Sequence, residues 1–263
     1  MNKLLLGRYI PGDSVIHRLD PRFKLVAGFY AITLIFFCHT PLAYSLMFLF
    51  LVGGIILSKS KLSFFVKGIR AMIWLILLTV ALQVLFSTGT HVYFHWGIFT
   101  VTKEGLINGV YVFLRFVLII SFSTLLTMTT SSLALADATE SLLSPFKKVG
   151  LPVHEIALML SIALRFVPTL MDEAEKIMNA QRSRGVDFDS GNLFHKVKAM
   201  IPLLIPLFVS CFNRAEELAD AMEARGYQGG EGRSKYRKLQ WHRIDTIGIF
   251  VMAFLTLLII WVQ

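Results

Sequence analysis

Hydrophobic positions gather along this chain into five runs: Leu25–Cys38, Leu42–Leu57, Ala71–Ser87, Leu106–Met128 and Thr246–Val262. A helix that crosses a bilayer needs roughly 17–25 apolar residues. Most of the runs are near the short end of that range, so their helices are expected to extend a few residues into the flanks. The pattern predicts five membrane spans.

The stretch from about 130 to 243 reads differently. It predicts three helices, two of them long and amphipathic. The first covers Ser132 to Lys148 and stops before the breaker Gly150-Leu151-Pro152. The second covers Val153 to Arg184, with Gly185 as its C-terminal cap. Its residues Ile156, Met159, Leu160, Ala163, Val167, Leu170, Met171, Ala174, Ile177 and Met178 recur at spacings of three and four, which makes one stripe. Its first half is apolar nearly all round; its second half has a polar face with Asp172, Glu173, Glu175 and Lys176. The third helix covers Asn192 to Arg225, capped by Gly226. Leu193, Val197, Ile201, Leu204, Phe208, Cys211, Ala215, Leu218 and Met222 form its stripe, and Pro202 and Pro206 are expected to bend it. The stretch Met200–Phe212 is apolar apart from Ser210 but too short for a typical span. It suits a helix lying under the membrane or against a hydrophobic partner.

Composition agrees with a membrane protein. Hydrophobic residues make up 55% of the 263 and charged residues 16%, where a soluble domain carries roughly 25% charged. The mean hydropathy is +0.65. The fold class is therefore all-α and polytopic, with residues 1–130 holding the N-terminal segment and four spans, 131–240 a helical insertion, and 241–263 the last span. The net charge of +9 reads as loop charge that sets topology, not as a nucleic-acid footprint. Five Lys and Arg precede the first run and none lies between the first and second. Four lie between the second and third, one between the third and fourth, and fifteen between the fourth and fifth. Basic loops face the cytoplasm. The N-terminus is then inside, the C-terminus outside, and the long insertion cytoplasmic.

Arg115 is left over in the middle of the fourth run. A lone cation at mid-membrane costs about 3 kcal/mol, so it is expected to face other helices, a water-filled cleft or a partner. A structural role and a substrate role both fit; the latter would make the chain a stand-alone secondary transporter or channel. His91 and His95 fall in the segment HVYFHWG, which suits a short hairpin or an aromatic interfacial belt better than a metal site lacking a carboxylate or Cys. Cys38 and Cys211 read as small buried hydrophobes. Gly105 and Gly109 form one small-xxx-small pair. Gly229-Gly230-Glu231-Gly232-Arg233-Ser234 lacks a preceding strand and the Lys-Ser/Thr pair of a phosphate loop, and reads as a linker. The sequence carries none of the hydrolase or zinc motifs with a defined spacing, and a metal site or bound cofactor is not expected.

The two long helices end alike. Residues 174–185 align without gaps on 215–226, at an offset of 41. Ala174 matches Ala215, Glu175 matches Glu216, Ala180 matches Ala221, Arg184 matches Arg225 and Gly185 matches Gly226. Each tip thus has a small residue, an Arg and a capping Gly: Ser183-Arg184-Gly185 and Ala224-Arg225-Gly226. The small residue allows a close approach, Gly turns the chain, and Arg projects a planar fork suited to carboxylates and carbonyls. An Arg favoured by the negative helix end explains one such tip. Two matched tips point instead to docking on a partner with two similar sockets, a dimer either homomeric or pseudo-symmetric.

These residues carry a resemblance. The run from Tyr9 through Pro11-Gly12-Asp13 and His17-Arg18-Leu19-Asp20-Pro21-Arg22-Phe23-Lys24 to Leu25 resembles the entry segment of the T component of energy-coupling factor (ECF) transporters. The paired tips resemble that family's two Ala-Arg-Gly-type triplets. The resemblance extends over essentially the whole chain, and is greater to T subunits shared among several vitamin-specific S components than to the cobalt or nickel type. It implies a non-catalytic scaffold in the cell membrane that joins two cytoplasmic ATP-binding-cassette subunits to a membrane substrate-binding S component. ATP and Mg2+ then belong to the partner ATPases. It implies that Arg184 and Arg225 insert into grooves on the two ATPases, one each, with Ser183 departing from the pattern's Ala. On this reading the surface offered to the S component includes Met200, Leu204, Phe208 and Phe212.

Overall fold

The computed structural model describes residues 11–87, 91–96, 99–150, 152–188, 190, 192–229 and 239–263. Tyr9, Ile10 and most of the linker Gly229–Ser234 lie outside them. Among the described residues the helices are α1 (Val15–Arg18), α2 (Pro21–Phe37), α3 (Pro41–Ser58), α4 (Leu62–Phe86), α5 (Lys103–Thr129), α6 (Ser132–Leu143), α7 (Val153–Ser183), α8 (Leu193–Ala224) and α9 (Arg243–Val262). A two-stranded antiparallel hairpin, β1 (Val92–Trp96) and β2 (Phe99–Thr102), joins α4 to α5. The hairpin expected for the HVYFHWG segment forms over its described residues. The protein is an all-α polytopic membrane protein.

Each expected span coincides with a helix, apart from Cys38 and Ser87, which cap α2 and α4, and the helix starts earlier than the apolar run. Local chemistry sets these starts. Asp20 caps α2, accepting from the Arg22 N–H at 2.8 Å, with Pro21 in the first turn. Thr40 caps α3 in the same way, with Pro41 following. The largest difference is in α4, which begins at Leu62 and not near Ala71. Lys67 and Arg70 interrupt the apolar run there, but both are good helix formers and do not interrupt the helix. Conversely, the expected helix Ser132–Lys148 stops at Leu143 and continues as a 3-10 turn, Ser144–Val149. Pro145 has no N–H to continue the ladder.

Six described helices are long and apolar enough to cross a membrane: α3, α4, α5, α7, α8 and α9. Five were expected. The short α2, with 17 residues, sits at the lower limit for spanning. The helices α7 and α8 join the set because each concentrates its apolar residues in one part and its charges in another. A span-length apolar stretch therefore sits inside a longer amphipathic helix.

The chain forms two compact units, Met1–Ala138 with Leu239–Gln263, and Thr139–Lys238. In the first unit α5 packs against α2, α3 and α4, and α9 packs against α2 and α3. Ile35, Met47, Leu51, Leu118, Phe122, Met252, Leu255 and Ile259 are buried in its core. The pair Gly105/Gly109 lies on the α4–α5 contact. A Cβ on Gly109 would stand 2.8 Å from Val84 Cγ2, and one on Gly105 would stand 2.9 Å from Ser87 Cβ. The outward faces are as apolar as the inside: Phe29, Leu49, Trp74, Phe250 and Trp261 are all exposed. Water would not tolerate so much contiguous apolar surface; lipid requires it.

A polar knot closes this unit where α2 and α9 begin. The Asp245 carboxylate is fully buried and accepts from the backbone N–H of Asp20 at 2.8 Å and of His242 at 2.7 Å. Asp20 in turn accepts from Arg22 Nε at 3.1 Å and from the Arg22 terminal nitrogen at 2.9 Å, and Arg22 donates to the Leu239 carbonyl at 3.3 Å. Buried Lys24 donates to the carbonyls of His17 at 3.1 Å and Thr129 at 3.0 Å. The segment Asp20-Pro21-Arg22-Phe23-Lys24 is thus a fastener that joins the starts of α2 and α9 to the end of α5. Asp245→Ala leaves two backbone donors without their acceptor, a loss of about 3 kcal/mol, and lowers the Tm of the detergent-purified protein by on the order of 8 °C. Asp245→Asn, which keeps one acceptor oxygen, loses less. An unchanged melting curve for Asp245→Ala would show that the knot contributes nothing to stability.

Candidate functional site

In the second unit, α7 and α8 meet through their predicted stripes. Leu170 of α7 and Cys211, Ala215, Leu218 and Met222 of α8 line one shared apolar groove of about 230 Å³, with Phe166 beside them. A polar clamp adjoins it. Glu173 accepts from Arg214 at 3.2 Å and from the Ser210 hydroxyl, and the Arg214 guanidinium lies over the Phe166 ring, 5.7 Å from its centroid. Glu173 and Arg214 are themselves 41 apart, the offset of the repeat. The helices therefore touch at equivalent points, and each tip Arg lies 11 residues further on, about 16 Å along its own helix.

The two tips have one backbone design. In α7 the N–H of Val186 bonds the Gln181 carbonyl at 3.0 Å and the N–H of Gly185 bonds the Arg182 carbonyl at 3.0 Å. In α8 the N–H of Tyr227 bonds the Met222 carbonyl at 3.0 Å and the N–H of Gly226 bonds the Glu223 carbonyl at 2.8 Å. These are the two bonds of a Schellman cap, and every participant is displaced by the same 41 residues. Arg184 closes α7 at φ −88°, ψ 6°, and Arg225 closes α8 at φ −87°, ψ 6°. Gly185 and Gly226 follow at φ +89° and +71°. Nothing approaches within 4 Å of where their Cβ atoms would be. Glycine is required there by the left-handed turn and not by crowding.

All six triplet residues, Ser183, Arg184, Gly185, Ala224, Arg225 and Gly226, are exposed. Among the described residues, neither Arg184 nor Arg225 has an ion-pair or hydrogen-bond partner for its guanidinium. Ser183 returns its hydroxyl to the Asn179 carbonyl at 3.1 Å. Its polar atom is thereby satisfied within its own helix, and it presents a small surface much as Ala224 does.

Met200, Leu204, Phe208 and Phe212 lie four residues apart along α8 and are 53%, 47%, 62% and 70% exposed. Phe208 and Phe212 stack at 6.4 Å. The predicted α8 stripe therefore divides. Its second half packs on α7, while its first half shares an apolar face that the chain itself leaves open.

Arg115 is positioned by α2 and α3. It donates to the Tyr44 hydroxyl at 3.2 Å and lies over the Phe36 ring, 5.3 Å from its centroid. Tyr44 stacks on Tyr111 at 5.2 Å. Phe36 is in the last turn of α2 and Tyr44 in the first turn of α3. Arg115 thus sits beside the short α2–α3 connection. Asp245 was missed in the sequence; the available signal was a lone acid in the first turn of an apolar run.

An apolar helical bundle, together with two long helices whose tips match, defines a polytopic α-helical membrane protein. Comparison with known proteins agrees. The family model described as CbiQ, cobalt transport protein, matches residues 12–236. The energy-coupling factor transporter transmembrane protein EcfT of Lacticaseibacillus paracasei is 60% identical over 262 residues, 98% of this chain and 99% of its own length. EcfT of Streptococcus thermophilus is 54% identical over 263 residues, the whole of both chains. EcfT of Bacillus subtilis is 50% identical over 256 residues, 96% and 97% of the two lengths. This chain belongs to the CbiQ/EcfT family of transporter transmembrane proteins.

The cap geometry makes a local prediction. Gly185→Ala forces a side chain into the left-handed region at a cost of about 1 kcal/mol. Amide hydrogen exchange in the peptide spanning 181–187 should quicken by about fivefold, while peptides of α2 and α5 keep their native rates. Equal exchange in variant and native protein would contradict the cap assignment.

Proposed function

We propose that this chain is the transmembrane scaffold, or T subunit, of an ECF-type ATP-binding-cassette importer. It joins two cytoplasmic ATPase subunits to an interchangeable, vitamin-binding S component in the cell membrane. It is not itself an enzyme; ATP and Mg2+ are handled by the partner ATPases. Residues 1–130 and 241–263 form its membrane part and residues 131–240 its cytoplasmic coupling part. The N-terminus is inside and the C-terminus outside, a reading that the distribution of basic residues supports.

One observation carries this reading: two exposed Arg tips with the same cap, at the same distance from a shared crossing point. A single capped Arg is an ordinary helix end. Two made alike suit a partner with two related grooves, which a dimeric ATPase offers. Each Arg presents five donors to the carbonyls and carboxylates of such a groove. Motion of the ATPases displaces both tips, and the Glu173–Arg214 clamp makes α7 and α8 pivot against each other. The face of Met200, Leu204, Phe208 and Phe212 then shifts beneath the S component. A non-directional apolar face suits this role because it accepts several partners in turn. The names of the relatives, transporter transmembrane proteins of the energy-coupling factor type, support the same reading. The stand-alone transporter is disfavoured because Arg115, its central residue, is engaged by Tyr44 and Phe36.

Arg184→Glu and Arg225→Glu should each lower recovery of the ATPases with the tagged chain by tenfold or more and abolish uptake, with membrane insertion unchanged. Normal ATPase recovery with both variants would overturn the docking assignment. Phe208→Asp should lower recovery of the S component several-fold while the ATPases stay bound. Loss of both together, or of neither, would remove the assignment of that face.

A further inference from the structure

We infer that the two tips are keyed by charge to two different sockets, so that the ATPase pair is held in one orientation only. The inference rests on the docking reading of Arg184 and Arg225.

The two tips share their caps and their tip dihedral angles, so whatever distinguishes them lies in the side chains. Three matched positions differ in charge. Lys176 stands where Glu217 stands in the other copy, Asn179 where Asp220 stands, and Arg182 where Glu223 stands. All six are exposed. They are spaced by three along each helix, so each set forms a ridge leading to its tip. Over residues 174–185, Glu175 against Lys176, Arg182 and Arg184 leaves +2. Over residues 215–226, Glu216, Glu217, Asp220 and Glu223 against Arg225 leave −3. Arg182 lies over the Phe188 ring, 5.9 Å from its centroid, and remains exposed. Asp187, past the first cap, accepts from the Ser190 hydroxyl and N–H at 2.6 and 3.2 Å.

A partner with strict two-fold symmetry presents the same socket twice. A rim acidic enough to suit Lys176 and Arg182 would face Glu217, Asp220 and Glu223 with like charge at the other site. Such juxtapositions are what exclude wrong pairings at interfaces. The shared device, Arg and its cap, therefore supplies attachment at both tips, and the ridge beside it supplies identity. The socket for α7 is acidic at its rim, and the socket for α8 is basic.

The test uses the assembled complex purified from its host. A photoreactive side chain replaces Ala180 or Ala221, matched and exposed positions on the two tips, and the cross-linked ATPase peptides are identified by mass spectrometry. In the native background each position should mark one ATPase sequence, with at least tenfold preference over the other. The ridge of α7 is then changed by Lys176→Glu, Asn179→Asp and Arg182→Glu, and that of α8 by Glu217→Lys, Asp220→Asn and Glu223→Arg. Each set alone should lower ATPase recovery several-fold. Both sets together should restore recovery and exchange the two cross-linked partners. Cross-linking of both tips to one ATPase sequence, or an unchanged assignment in the double exchange, would overturn the charge key. Absence of any ATPase cross-link at either tip would overturn the docking reading itself.

Discussion

Glu173 accepts from Arg214 and Ser210 where α7 crosses α8, and the geometry of the second unit follows from that contact. The ion pair is part-exposed, with side chains 27% and 32% accessible. Pairs of that kind contribute at most about 1 kcal/mol, so it is not what holds the helices together. The apolar groove formed by Phe166, Leu170, Cys211 and Leu218 does that, and apolar contact alone would allow the helices to slide. The clamp adds register. Because its two ends occupy equivalent positions of an internal repeat, it makes the arms equal and gives two unlike helices one common geometry.

The open face of α8 follows from the same division. Beyond the clamp, α8 spends its apolar residues on α7. Before the clamp, the row from Met200 to Phe212 has nothing to pack on within the unit. A chain that exposed this row to water would aggregate. Pro202 and Pro206 lie within this row and remove two helical N–H groups from it. The open half of the helix is thus more easily reshaped than the clamped half. Such a face can be kept adaptable while the tips stay fixed.

Much of this was legible in the amino-acid order. Spans announce themselves because a bilayer demands long apolar runs. The tips announce themselves because a Schellman cap needs Gly at one position, and a repeat of 41 residues is visible by inspection. Long-range polar contacts are not written so openly. Asp245 is one acid at the edge of an apolar run, and nothing near it names Asp20, 225 residues away, as its partner. The neighbours of Arg115 are hidden for a related reason: Tyr44 and Phe36 lie far away along the chain, and only packing brings them to it. The start of α4 was missed because charged residues end a hydropathy signal without ending a helix.

The knot at the head of the first unit also fixes where the chain leaves that unit and where it returns. The chain leaves the first unit after Ala138 and re-enters it at Leu239. Both attachment points are restrained. Ala134, Ala136 and Ala138 are buried at the exit. At the return, the Leu239 carbonyl is held by Arg22 and the Trp241 ring packs edge-on against Phe23 at 6.4 Å. A Cβ on Gly248 would collide with that same Phe23 ring, so α9 is pressed close to α2 immediately beyond. The return point adjoins a buried carboxylate network, whose groups cannot separate without leaving Asp245 uncompensated in an apolar surrounding. The electrostatic cost of opening the knot is what keeps the starts of α2 and α9 together at the point where the chain returns to the first unit.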